Sequence, residues 1–286
     1  SPCFPPSNPM LRNYLKIALR TLRKQAGFAA INVVGLAVGL ACCLLIALYV
    51  LDELSFDRFH EKADRIYRIH SDIRFGGNDM HMAVTSDPMG PTLAKDYPQV
   101  ESFVRLHDTS TWLVNRPGQP NRLREGPVLF ADSTLFGVFS FPLVSGDPRR
   151  ALTEPNTVVI SEAAARRHFG TQNPLGQSLL LDGRLTCKVT GVMRDLPTNG
   201  HFRTDFFVSM RTDTYQWGQW LSHNFHTYLL LKAGTDPAQF EKNFEVVITK
   251  YLGPQVKEFL GASLEEIREA GNRVNYTLMP LTNIHL

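Results

Sequence analysis

The sequence predicts a mixed α+β protein. One N-terminal transmembrane helix is followed by an α+β domain outside the cytoplasm, which comprises two subdomains. Residues 28–51 form an apolar run without a charged side chain. Downstream, segments with the two-residue alternation of strands are interleaved with segments of helical period. Asp182-Gly183 lies between two such strand segments and favours a hairpin. Interleaved helices and strands with antiparallel pairing indicate the α+β class.

The apolar run is long enough to cross a bilayer, because a helix needs about 20 apolar residues to span the hydrocarbon core. A signal-peptide core has only about 7–15 residues and ends at a cleavage site, whereas this run continues to Asp52 and Glu53. We therefore predict an uncleaved transmembrane helix over residues 26–51. A cleaved signal, a lipoprotein with its lipid on Cys42 and a buried core helix remain as alternatives.

Gly35 and Gly39 form a G-x-x-x-G pattern within the run. Small residues at this spacing let a second membrane helix approach closely, so both are candidates for helix packing. The alternative is that small residues are simply common in membrane helices.

Charge is unevenly distributed and sets the predicted orientation. The net charge is +3. Residues 1–25 carry five basic side chains and no acid, so the +3 of the whole less the +5 of this segment leaves −2 for the rest. Positive charge before a span predicts a cytoplasmic N-terminus, with residues 52–286 outside, in the periplasm. The basic character belongs to the N-terminal segment and gives no support for nucleic-acid binding.

The segment before the span predicts two features. Residues 1–9 are rich in proline, and they are either disordered or upstream of a natural start at Met10. Residues 10–24 place leucines on one helical face and basic residues on another, which predicts an amphipathic helix at the inner membrane surface. Residues 1–25 are thus assigned as a cytoplasmic tip with a basic helix that contacts lipid.

The elements of the outer domain are predicted from local pattern. The strand segments are 65–75, 80–85, 103–106, 128–131, 158–160, 178–181, 184–192, 227–231 and 276–281. Helices are predicted after Ser55, over 88–97, after the N-cap Ser161 as far as Gly170, and from Asp236-Pro237 to a stop at Gly253-Pro254, with a last one after the capping box Ser263–Glu266.

Motifs for catalysis and metal binding are absent from the sequence. It has no P-loop, no G-x-S-x-G and no H-E-x-x-H. Only Cys187 of the four cysteines lies in the outer domain, and no C-x₂-C occurs. The His223/His226 and Asp195/Asp205 pairs are read as solvated, core or capping residues, and Phe240 with Phe244 as core. No catalytic, metal or cofactor residue is predicted, and the chain is not expected to be an enzyme.

Several segments together resemble the MacB-like periplasmic core domain of FtsX-like ABC transporter permeases. The resemblance covers about residues 10–286. It is carried by Met10–Arg20, Phe28–Gly39, Asp52–His60, Ala63–Arg68, Val158–Glu162 through Phe169-Gly170, Asn173–Gly176, Gly191–Pro197 with His201-Phe202, and Pro280–Leu286.

The resemblance implies a mechanical role in the bacterial inner membrane. A separate cytoplasmic ATPase would move the membrane helices, and the periplasmic domain would pass that motion on. The expected outcome is efflux or extrusion of amphiphiles such as antimicrobial peptides, macrolides or lipoproteins. Expected partners are a second permease copy or paralogue, and a periplasmic adaptor with an outer-membrane channel. The other membrane helices of such a permease are missing, so the chain is expected to be a fragment or a truncated gene product.

The residues implied for coupling follow the span directly. Asp52, Glu53, Phe56 and Phe59 are expected to join the span to the outer domain as a continuous helical stalk over residues 52–59. Two other roles stay open. One is a membrane-anchored ligand-binding or sensor domain, and the other is an anchored envelope enzyme.

Overall fold

The computed structural model describes residues 9–215 and 217–285. The proline-rich tip therefore lies almost entirely outside the described residues, as do the side chains of Leu11, Arg12 and Leu15 in the predicted amphipathic helix. The chain divides into two compact units, one ending at Leu54 and the other running Ser55–Leu286.

The first unit consists of two helices, α1 (Pro9–Lys24) and α2 (Ala26–Glu53). At a rise of about 1.5 Å per residue, the 28 residues of α2 extend about 42 Å, which exceeds the hydrocarbon core. None of its residues is buried, and its length and composition suit a membrane span. The predicted apolar helix is therefore present, two residues longer at its end than expected.

The second unit contains the described strands and the remaining helices. The strands are β1 (Ile66–Phe75), β2 (Asn78–Met82), β3 (Val100–Asp108), β4 (Trp112–Asn115), β5 (Leu123–Glu125), β6 (Val128–Ala131), β7 (Leu143–Gly146), β8 (Thr157–Ser161), β9 (Ser178–Leu181), β10 (Leu185–Met193), β11 (Phe206–Ser209), β12 (Phe225–Leu231) and β13 (Arg273–Pro280). The helices are α3 (Met89–Asp96), α4 (Leu135–Val138), α5 (Glu162–Phe169), α6 (Pro237–Glu241), α7 (Asn243–Val247), α8 (Gly253–Leu260) and α9 (Leu264–Glu269). The predicted α+β class is confirmed.

The described strands form one mixed sheet in the order β13-β1-β12-β3-β6-β11-β8-β10-β9-β4-β5, with β2 paired to β1 and β7 to β10. Pairing is antiparallel except between β8 and β10 and between β6 and β11. The hairpin between β9 and β10 turns at Asp182 and Gly183, both with positive φ (52° and 69°), as an Asp-Gly turn requires.

Three clusters of buried side chains hold the second unit together. The central cluster includes Ile66, Leu106, Phe139, Phe202 and Tyr228. A second cluster fills the β8–β10 end beneath α5, and a third packs α3 and α6–α8 against β1, β12 and β13. Phe240 and Phe244 are 2% and 1% exposed within the third cluster, which confirms their core role.

One helix boundary differs from expectation. The helix from Pro237 does not stop at Gly253-Pro254, because a π-turn over Ile248–Leu252 leads directly into α8. Pro254 occupies the first turn of α8, where proline's missing N–H leaves no helical hydrogen bond unmade. Ser161 and the Ser263–Glu266 capping box, by contrast, cap α5 and α9 as predicted.

Candidate functional site: the junction segment

Residues 55–60, here called the junction segment, are the first residues of the second unit. The prediction of a continuous helical stalk over residues 52–59 is wrong, because α2 ends at Glu53 and residues 54–59 form turns. Asp57 has φ = 57°, in the left-handed region that interrupts an α-helix. Its N–H donates to the carbonyl oxygen of Asn199 at 2.9 Å instead of to a preceding turn of helix. Tertiary hydrogen bonding has replaced helical hydrogen bonding at this position.

Asp57 is completely buried and is the centre of the junction segment. Its Oδ1 accepts a hydrogen bond from the backbone N–H of His201 at 3.1 Å. Its Oδ2 lies 2.8 Å from Nδ1 of His201, but at an angle that does not form a good hydrogen bond, so this contact is chiefly electrostatic. Since an unpaired buried carboxylate is costly, the imidazole of His201 supplies the compensating partner.

His60 closes the other side of this network. Its Nδ1 accepts from the backbone N–H of Ser140 at 3.0 Å, and Oγ of Ser140 accepts from the N–H of Glu61. Nε2 of His60 lies 4.0 Å from Oδ1 of Asp57 and has no hydrogen-bond partner among the described residues. Burial lowers the pKa of His60 to about 4, an effect that nearby Asp57 opposes and His201 reinforces. His60 is therefore neutral at pH 7 and acts as an acceptor.

The two aromatic residues expected to couple the span are both anchored in the second unit. Phe56 is 7% exposed, and its ring stacks on His285 with centroids 3.5 Å apart. Phe59 is half-buried against the central cluster and lies beside Gly200, where an added Cβ would approach its ring to 3.3 Å. Only a residue without a side chain fits at position 200 without moving Phe59.

The last described residues return to the junction segment because β13 pairs antiparallel with β1 along its whole length, from Tyr67↔Pro280 to Arg74↔Arg273. The turn Leu281–Asn283 then lies beside the turn Ala63–Arg65. The stacking of His285 on Phe56 completes this arrangement. The N-terminal and C-terminal residues of the second unit therefore lie next to each other.

Other predicted residues have the following positions. Asp52 and Glu53 form the last turn of α2. Gly35 and Gly39 lie within α2, and a Cβ at either position would meet no atom within 4 Å. Both are thus compatible with a close neighbour, and their packing role remains a prediction.

The local sequence around Asn199, His201, Ser140 and Tyr228 did not predict them as functional residues. The available signal was indirect, because the segments that carry the family resemblance include both Asp57 and His201. The structure shows that these two segments are packed against each other.

The polar pairs considered for chemistry have structural partners. His223 Nε2 contacts Tyr276 Oη at 2.9 Å, while His226 Nδ1 donates to the Ala83 carbonyl at 2.9 Å, so the two rings have different partners. Asp195 accepts from Ala163 N–H in the first turn of α5. Within the described ranges, no group of three His, Cys, Asp or Glu side chains is arranged to hold a metal.

An apolar helix long enough to span a membrane, followed in the chain by an α+β unit, is typical of a membrane-anchored domain. The chain belongs to the MacB-like periplasmic core domain family, whose model matches residues 29–247. Its members are periplasmic domains of ABC-transporter-type permeases. A search of the curated proteins finds no match.

Two solved structures share the fold. A domain of a putative permease protein from Porphyromonas gingivalis matches with a TM-score of 0.65 and 21% identity, covering 78% of this chain and 92% of that one. The periplasmic region of MacB from Actinobacillus actinomycetemcomitans matches with a TM-score of 0.51 and 14% identity, covering 78% and 91%. At these identities the likeness establishes the fold alone.

Proposed function

We propose that this chain acts as permease subunit, or part of one, in an ABC transporter of the MacB/FtsX type. A separate cytoplasmic ATPase drives the membrane helices, and the second unit carries their motion into the periplasm as a rigid body. In this arrangement the N-terminus is cytoplasmic and α2 crosses the inner membrane. The family assignment supports the transporter context.

The observation that carries the proposal is the way the junction segment is fixed. It follows α2 directly in the chain, and it is bonded to distant parts of the second unit through Asn199, His201 and Ser140. A displacement of residue 55 would have to break buried polar contacts before it could be absorbed locally. Such a link passes force to the core and loses little of it to loop bending.

The resemblance also implies the cargo and the partners. Amphiphiles such as antimicrobial peptides, macrolides or lipoproteins are the proposed substrates of the complete transporter. A second permease copy or paralogue is the proposed neighbour of the Gly35/Gly39 face, and a periplasmic adaptor with an outer-membrane channel is proposed beyond it. The chemistry of ATP hydrolysis belongs to the ATPase, so this chain has no catalytic role in the proposal.

An insertion at the junction tests the proposal. Gly-Gly-Ser is inserted between Leu54 and Ser55 of the complete transporter in nanodiscs, with its ATPase present. Spin labels at Lys24 and at Lys188, which are both exposed, report the distance between the two units in a background without the native cysteines. We expect ATP to change this distance in the parent chain, and the insertion to reduce that change by at least half while ATP hydrolysis continues.

The matched control places the same insertion between Gly76 and Gly77, in the exposed β1–β2 turn. This chain should retain the full ATP-driven change. An undiminished change in the chain with the junction insertion would contradict the proposal, as would a parent chain whose distance does not respond to ATP.

The alternative role, a membrane-anchored ligand-binding domain, is favoured by one feature of the second unit. A cleft of about 210 Å³ opens beside His201 and Tyr228. A ligand site there is compatible with a mechanical role, because among Asn199, His201 and Ser140, which fix the junction segment, only His201 also lines the cleft.

A further inference from the structure

The cleft lies where the central core ends. Registered partners in neighbouring antiparallel strands project from the same face, and so do alternate residues within a strand. Arg68 is paired with Tyr228, and His226 with Leu106. On this face each of the three strands changes from an apolar to a polar side chain further along. The apolar residues are Ile66, Leu230 and Val104, and the polar residues are Arg68, His226 and Asp108. Polar residues of three adjacent strands therefore line one side of the cleft.

The loop that holds the junction segment forms the other side. His201, Phe202 and Arg203 line the cleft together with Leu106 and Leu129. Its wall thus combines two guanidinium groups with an apolar surface. Asp108 lies at the rim and is exposed, so water screens its charge.

Arg68 is the unusual group in this wall. It is only half-exposed, and its Nε donates to Nε2 of His70 at 3.0 Å. Its guanidinium also lies near the phenol of Tyr228, its registered partner on β12. Burial and the Arg68 charge lower the pKa of His70, and burial raises the pKa of Tyr228 to about 12. Both partners are therefore neutral at pH 7, and in the described part of the chain Arg68 pairs with no carboxylate.

A half-buried guanidinium with only neutral partners retains an uncompensated charge. Arg203 also lines the cleft; its guanidinium donates to the backbone carbonyls of Pro197 and Thr198 and has no carboxylate partner among the described residues. Arginine's planar set of donors suits carboxylate and phosphate oxygens. These groups supply the positive side of an anion site.

We propose that this cleft binds a small amphiphilic anion, with its carboxylate or phosphate on Arg68 and Arg203 and a short apolar chain against Leu106, Leu129 and Phe202. The volume of about 210 Å³ corresponds to roughly seven waters. It therefore accommodates an anionic group with a chain of about four to six carbons. The inference does not depend on transport, because it concerns occupancy of the cleft alone.

Calorimetric titration of the full chain in zwitterionic nanodiscs tests the site. The probes are hexanoate, hexyl phosphate, inorganic phosphate and hexylammonium. We expect saturable binding of hexanoate and hexyl phosphate, weaker binding of inorganic phosphate and none of hexylammonium. Arg68→Gln should weaken the binding of hexyl phosphate at least tenfold. Arg68→Lys should lose less affinity, since lysine keeps the charge but not the planar donors.

Two further variants separate the site from the fold. Arg203→Gln changes an exposed side chain and should weaken binding while the unfolding temperature is preserved. Arg74→Gln, on the same strand but beside Asp79, should leave binding unchanged. Absence of saturable anion binding would overturn the proposal, as would full affinity in both cleft variants or equal binding of hexylammonium. Inorganic phosphate bound as tightly as hexyl phosphate would overturn the assignment of the apolar chain.

Discussion

At the scale of single residues, the junction depends on buried polar groups. Asp57 and His60 are buried to 0% and 3% exposure, and His201 lies between Asp57 and Tyr228, whose Oη is 2.8 Å from its Nε2. Tyr228 in turn is the registered strand partner of Arg68, which lines the cleft. One continuous chain of polar contacts therefore links the junction segment to the cleft.

The low pKa of His60 makes the stability of the second unit depend on pH. The pKa is about 4 when folded, against 6.5 ordinarily, so the unfolded chain binds more protons between these values. The stabilisation is complete above about pH 6.5 and is lost as the pH falls toward 4. Between pH 7.5 and 5 the expected loss from His60 alone is about 2 kcal/mol.

His60→Asn tests this dependence, because the amide oxygen can still accept the Ser140 N–H without titrating. Urea unfolding at pH 7.5 and pH 5, followed by fluorescence of Trp112, Trp217 and Trp220, should show a smaller difference in unfolding free energy than in the parent. Part of the fall in unfolding free energy between pH 7.5 and pH 5 should remain in this variant. Burial also lowers the pKa values of His70, His223 and His226, and these residues are unchanged. The control is His81→Asn, on an exposed ring. An identical pH difference in His60→Asn and parent would refute the assignment.

At the scale of elements, the loop over residues 197–203 fixes the junction segment by packing as well as by hydrogen bonds. The carbonyl oxygen of Asn199 accepts a hydrogen bond from the N–H of Asp57. Its Nδ2 donates to the hydroxyl and carbonyl oxygens of Ser55. Gly200 lets the ring of Phe59 lie against the loop backbone. The loop therefore bonds to Ser55 and Asp57 and packs against Phe59.

A side chain at position 200 should loosen this contact. Gly200→Val is expected to lower the unfolding free energy by about 1–3 kcal/mol, because the added methyl groups overlap the Phe59 ring. Shortening that ring with Phe59→Ala should relieve the overlap, so the double variant should lose at least about 0.5 kcal/mol less than the two single variants together. Urea unfolding measures all three.

Gly137→Val is the matched control, since a Cβ at Gly137 would meet no atom within 4 Å. Gly137→Val should lower the unfolding free energy much less than Gly200→Val does. Additive losses for Gly200→Val and Phe59→Ala would mean that the two residues do not interact.

At the scale of the whole molecule, local pattern predicted most of the architecture. The span, the Asp182-Gly183 hairpin and the caps at Ser161 and Ser263 depend on interactions between near neighbours, so they can be read from short windows. Strands β4, β5, β7 and β11 were missed because they have three or four residues each and lack a further local signal, whereas the equally short β9 precedes the Asp182-Gly183 turn and β6 is an unbroken apolar run. Their pairing partners, rather than their own sequence, define them.

The junction could not be predicted in the same way. A helix from Ser55 onward was expected from local sequence, but Asp57 has a left-handed backbone because partners 142 to 144 residues away, Asn199 and His201, bind it. Contacts of that sequence separation leave no local pattern. The cleft was missed for the same reason, since it combines the ends of strands that are far apart in the chain.

Hydrogen exchange of the full chain in nanodiscs tests most directly whether the junction segment moves as one body with the core. The amide of Asp57 in the junction segment donates to Asn199, and the amides of Glu61 and Ala63, which follow the segment directly, donate to Ser140 and His60. We expect them to exchange as slowly as the amides of β12, in the same cooperative opening. Exchange of these amides within seconds, while β12 stays protected, would contradict the account, because motion of α2 would then be absorbed at residues 55–60.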